Sequence, residues 1–143
     1  MHTNKLRIAV IDGQGGGLGR QIVTALRGEY GAGEAEIRAV GTNATAAAAM
    51  HKAGADGAAT GENAVIVAAR WADVIVGPVG IVIADALLGE ITPTMAVAVG
   101  QSDARRILIP VNQCDNIVVG VPDLTVSALI RAVVQEIRGG DAS

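Results

Sequence analysis

Apolar residues along this chain fall into short continuous runs bounded by glycine, and between those runs they return at helical spacing. Residues 6–11 (LRIAVI) are apolar apart from Arg7 and stop at Asp12-Gly13, as a strand buried on both faces of a parallel sheet does. After the glycines, Leu18, Ile22, Ala25 and Leu26 mark one helical face, with Gly28 or Gly31 as its stop. Residues 36–41 (EIRAVG) predict a second strand. Asn43 then caps an Ala-rich helix to Ala53, with His51 and Lys52 in its last turn and Gly54 beyond.

Residues 57–69 stay open, because AVIVAA satisfies both a buried strand and a short helix starting near Glu62. Residues 73–77 (DVIVG) predict a strand and residues 80–88 a short helix. Thr92-Pro93 supplies the cap and first residue of another helix that stops at Gly100. Residues 106–111 (RILIPV) predict the next strand and 117–121 a last strand at an edge. Val126, Leu129, Ile130, Val133, Val134 and Ile137 mark a final amphipathic helix, and residues 138–143 are expected to form a disordered tail. Strands alternating with helices imply a doubly wound α/β fold: one mostly parallel sheet, helices on both faces, in a single domain spanning 1–143.

Composition narrows the partners. Half of the residues are apolar, yet Tyr30 and Trp71 are the only aromatics, so the core must be close-packed Ala, Val, Ile and Leu. A net charge of −3 without a basic cluster excludes a nucleic-acid surface. The apolar stretch 72–88 carries Asp73 and Asp85 and is broken at Gly77 and Pro78, so no membrane partner is expected. Cys114 is the lone cysteine and the first residues lack a signal-peptide pattern, which makes the cytoplasm the expected location. With 17% charged residues and a mean hydropathy of +0.43, some apolar surface is left over, and a homodimer through residues 80–100 is expected.

The candidate chemistry lies in one loop. Gly13, Gln14, Gly15, Gly16, Gly17, Leu18 and Gly19 follow the first strand and open the first helix. Residues without a Cβ let main-chain N–H groups approach a phosphate at the positive end of a helix, and Arg20 adds a cation in the first turn. The spacing reads G-x-G-x-x-x-G, one residue longer than the dinucleotide fingerprint. Gly41-Thr42-Asn43 stands where that fingerprint has an acid after the second strand, which leaves Thr42 or Asn43 to bond a ribose or phosphate. A nucleoside-triphosphate P-loop is excluded, because Arg20-Gln21 replaces the required Lys-Ser or Lys-Thr. The expected cofactor is NAD, NADP or another nucleotide, and the partner a small phosphate-bearing ligand. The competing explanation is that the glycines serve helix-strand packing alone.

Other groups offer less. Asp12 has three readings: a contact to a ribose hydroxyl, a Mg²⁺ ligand beside a phosphate, or a loop cap. Gly77, Pro78 and Gly80 form either the opposite wall of the crevice or an ordinary strand-to-helix turn. Asn112 and Cys114 follow the RILIPV run and are expected at the same crevice, but no base accompanies the thiol, so Cys114 reads as inert. Glu62, Asn63 and Glu90 read as helix caps or solvated residues. No metal-ligand spacing and no nucleophile-base motif appears, so no catalytic residue is assigned. The alternative to a nucleotide-binding protein is a non-enzymatic ligand-sensing or assembly module.

IDGQGGGLGRQIV, GTNATAAAAMHKAGA, ATGENAVIV, ADVIVGPVGIVIADALLGEITPTMA and ILIPVNQC together resemble an uncharacterised bacterial family, domain of unknown function 3842. The resemblance covers nearly the whole chain. It implies a small, single-domain, Rossmann-like bacterial protein and carries over no catalytic residue. Within it, residues 57–60 read GAAT and Gln113 stands where a basic residue is expected.

Overall fold

The structure is a computed structural model that describes residues 4–111 and 116–141. Strands β1 (Leu6–Asp12), β2 (Ala35–Gly41), β3 (Gly57–Thr60), β4 (Val74–Pro78) and β5 (Arg105–Ile109) form one all-parallel sheet. Their order is β3-β2-β1-β4-β5. Helices α1 (Gly17–Glu29), α2 (Ala44–Lys52), α3 (Glu62–Trp71), α4 (Pro93–Gly100) and α5 (Val126–Asp141) complete a doubly wound, Rossmann-like α/β fold.

Why the strands read as unbroken apolar runs is visible in their packing. Ile8 and Val10 of β1 pack on one face with Ile22 and Leu26 of α1, Met50 of α2 and Ile130, Val133 and Ile137 of α5. Ala9 and Ile11 point the other way, onto Val65 and Ala68 of α3, Met95 and Val99 of α4, and Ile81. A strand covered on both faces has no polar position to spare. Strand order reverses between β1 and β4, and the carboxyl ends of strands at such a reversal are where sheets of this kind bind ligands.

The caps read from the sequence are in place. Asn43 Oδ1 accepts the Ala46 N–H at 2.8 Å, and Thr92 Oγ1 accepts the Met95 N–H at 3.1 Å with Pro93 at the first helical position. The open stretch 57–69 divides into β3 and the start of α3, whose buried residues Val65, Ala68 and Ala69 have helical spacing.

Three expectations are corrected. Residues 80–88 are not a helix: one 3₁₀ turn (Val79–Val82) leads into successive turns. Ile81, Leu87 and Ile91 are all buried, and the chain folds back on itself to bury them. The Asp85 N–H donates to the Ile91 carbonyl at 2.7 Å and the Ile91 N–H to the Ala86 carbonyl at 3.1 Å. Residues 117–121 form no strand. They are irregular, with Ile117 87% and Val119 91% exposed and Gly120 at φ 84°. No described strand pairs with them, and Pro122 follows. Residues 138–141, expected in a tail, extend α5. Arg138 anchors that end: its guanidinium lies 4.2 Å above the Tyr30 ring and donates to Glu29 Oε1 at 2.7 Å and to the Glu29 carbonyl at 3.0 Å.

Candidate functional site

The glycine loop begins where β1 ends beside β2, with Asp12 paired to Gly41 and the Thr42 N–H donating to the Asp12 carbonyl at 3.0 Å. Among the described residues Asp12 is the one buried polar or charged side chain. Its two carboxylate oxygens accept the Gly13 N–H at 2.8 Å and the Gly19 N–H at 2.7 Å. Burial pushes the Asp12 carboxyl above its ordinary value, against the pull of the two N–H groups and with a further push from the charge of Glu90. Of its three sequence readings, capping of the loop is the contact the geometry contains.

The five glycines separate into two kinds. A Cβ at Gly16, which sits at φ +73°, would lie 2.7 Å from Ala46 Cα, and one at Gly19 would lie 2.5 Å from Met50 Sδ. A Cβ at Gly13 would lie 2.5 Å from Thr42 Oγ1 and 2.8 Å from Glu90 Oε1. Those three glycines are explained by close packing. Gly15 and Gly17 are exposed, and a Cβ on either would meet nothing within 4 Å. Helix α1 starts after Gly16 with no side-chain cap and no acidic residue in its first turn. The N–H groups of Gly15, Gly17 and Leu18 have no partner among the described residues. Arg20 is exposed in that turn and its side chain also lacks a described partner.

Gln14, Thr42 and Asn43 come together around a residue that the sequence reading placed among caps and solvated groups, Glu90. Its Oε1 accepts the Gln14 N–H at 2.8 Å, the Asn43 amide at 3.1 Å and the Thr42 hydroxyl. Asn43 Nδ2 also donates to the Gln14 carbonyl at 2.8 Å. The Thr42 hydroxyl first, then the Gln14 N–H and the Asn43 amide, hold the Glu90 carboxyl below its ordinary range despite partial burial. No local pattern flags Glu90, since its partners lie 76, 48 and 47 residues away in sequence.

The remaining candidates are dispersed around this centre. Gly77 and Pro78 close β4 and are buried; a Cβ at Gly77 would lie 2.4 Å from the Ile11 carbonyl oxygen, so Gly77 serves the β1–β4 contact. Gly80 is buried against Ala86 and Leu87. Glu62 accepts the Thr92 hydroxyl at 2.6 Å. Asn112, Gln113 and Cys114 lie outside the described residues. Next to Gly17, Leu18 and Gln21 opens a cleft of about 760 Å³, lined otherwise by Pro110, Val111 and residues between 117 and 129. Among the described residues no group of three or more His, Cys, Asp or Glu is placed to hold a metal ion, and no helix is long and apolar enough to cross a membrane.

The model of the family called domain of unknown function 3842 matches residues 7–140. The chain belongs to that family. For domain of unknown function 3842 the match takes in every strand but the first residue of β1, together with the glycine loop, Glu90 and nearly all of α5. No curated protein matches the chain.

Proposed function

We propose that this protein binds a nucleotide or dinucleotide through a phosphate resting on residues 13–19. One observation carries the reading. Gly15, Gly17 and Leu18 offer three unpartnered N–H groups at an uncapped helix start, on the edge of the sheet where strand order reverses. Unpartnered N–H groups at the positive end of a helix suit an anion, and Gly15 and Gly17 are the two glycines of this loop that internal packing leaves unexplained. Arg20 supplies a charged contact in the same turn. NAD, NADP and other nucleotides are the ligand class. A thermal-shift screen of NAD, NADP, ATP, GTP, FAD, coenzyme A and S-adenosylmethionine tests it, because a ligand that binds only the folded state raises its melting temperature. A rise with at least one nucleotide that Gly17→Val abolishes is the expected result. Equal shifts in wild type and Gly17→Val overturn the reading.

A ligand-sensing or assembly role is the second reading, and it has its own observation. Leu88 is 95% exposed and Val97 52% exposed, both within the 80–100 stretch expected at a homodimer interface. Binding without turnover across that panel favours this reading over an enzyme.

A further inference from the structure

The phosphate reading leaves one feature of the same sheet edge unexplained. Glu90 brings a negative charge to a place otherwise suited to anions, and the chain is distorted to put it there. Asp85, Leu87 and Leu88 have φ values of 67°, 56° and 56° in the segment that delivers it, a region that L side chains rarely enter and that clusters at functional sites. Gly13 is part of the same arrangement, since any Cβ there would collide with the Glu90 carboxylate and with Thr42.

We infer that Glu90 accepts the ribose hydroxyls of the bound nucleotide, so that the site takes a ligand with a free 2′-hydroxyl and rejects one phosphorylated at that position. The inference rests on the phosphate reading of residues 13–19. Three donors from two other segments converge on Glu90 Oε1, while no described residue donates to Oε2. A carboxylate so fixed has lone pairs left for two hydroxyl donors, and the fixing is done before the ligand arrives. Its charge matches a diol and repels a second anion. Gln14 holds Glu90 and the unpartnered N–H groups start at the next residue, Gly15, so acceptor and phosphate donors sit side by side on one turn, as the adjoining ribose and 5′-phosphate of a nucleotide require. The acid absent after β2 at Thr42-Asn43 is in this way supplied by another loop, through hydrogen bonds to those two residues. The Glu90 carboxyl is held below its ordinary range there, so it is ionised at neutral pH.

The test is isothermal titration of wild type and Glu90→Gln with ADP, 2′-deoxy-ADP and adenosine 2′,5′-bisphosphate, with circular dichroism to confirm folding. Wild type is expected to bind ADP at least about tenfold more tightly than either analogue, the effect of one charge-assisted hydrogen bond. In Glu90→Gln both gaps shrink to within about threefold, and the bisphosphate gains affinity in absolute terms. Equal affinities of wild type for ADP and 2′-deoxy-ADP overturn the role of Glu90 and leave the phosphate reading standing. A uniform change in all three affinities in Glu90→Gln also overturns it, because a purely structural carboxylate or one that merely plugs the site acts on every ligand alike. No binding of any of the three overturns the role of Glu90 as acceptor for an adenosine ribose, and the phosphate reading falls with it only if the thermal-shift panel also shows no nucleotide shift. Should Glu90→Gln fail to fold, the wild-type comparison decides alone.

Discussion

Gly19, in the first turn of α1, donates its backbone N–H to the buried carboxylate of Asp12 at 2.7 Å, which ties the end of β1 to the helix that follows it. Gly13 donates to the other oxygen at 2.8 Å. Asp12→Ala leaves both N–H groups without an acceptor, and a buried donor so orphaned costs about 1–3 kcal/mol. The expected loss is about 2 kcal/mol or more in urea denaturation. Because burial raises the folded-state value of Asp12 above 3.8, its contribution is full below that value and declines as pH rises through the raised one. The gap between wild type and Asp12→Ala is therefore widest in acid. A gap that widens as pH rises contradicts this.

Glu90 titrates with the opposite sign. Its folded value lies below 4.5, drawn down first by the Thr42 hydroxyl and then by the Gln14 N–H. The stability it contributes is full above 4.5 and is lost as pH falls through the depressed value. Glu90→Gln is expected to cost about 1 kcal/mol near pH 7, and denaturation curves of variant and wild type should converge below the depressed value. An undiminished difference there would show that the carboxylate charge is not what the three donors hold.

The two kinds of glycine predict two kinds of variant. Gly17→Val puts its side chain into open space, so the melting temperature should stay near that of wild type while nucleotide-induced shifts vanish. Gly41→Ala drives a Cβ to 2.5 Å from the Ala47 backbone nitrogen and 2.6 Å from the Asn43 carbonyl oxygen, and overpacking against backbone costs about 1–3 kcal/mol. Equal destabilisation by the two substitutions would contradict the division.

The end of α5 belongs to the core. Ile137 is 1% exposed and packs with Tyr30, Ile8 and Ile37. Ile137→Ala is expected to cost about 2–5 kcal/mol, read as a lowered unfolding midpoint in urea. A neutral Ile137→Ala would contradict the packing of this end of the helix into the core.

Self-association is read by light scattering. The proposed dimer has about twice the chain mass of 14.4 kDa, and Leu88→Asp, which places a charge on a side chain 95% exposed in the single chain, should return the mass to that of one chain. A mass near 14.4 kDa for wild type across a dilution series refutes the dimer.

Local physics alone made much of this chain legible. Strands β1 and β4 are covered on both faces, and that burial writes itself as an apolar run; Asn43 and Thr92 start helices through bonds that reach only three residues, and Pro93 takes the first helical position, where no N–H is needed. Where the glycine loop lies follows from the same local signals. Tertiary structure decided what depends on distant partners. Residues 80–88 have the composition of a helix, yet burying Ile81, Leu87 and Ile91 together turns the chain back. An extended segment at 117–121 needs a neighbouring strand, and no described strand pairs with it. Residues 138–141 are helical because Arg138 finds Glu29 and Tyr30 more than a hundred residues earlier. Glu90 is the clearest case: three donors belonging to β1's loop and the end of β2 converge on it, and no sequence period encodes a meeting between residues 47 to 76 positions apart.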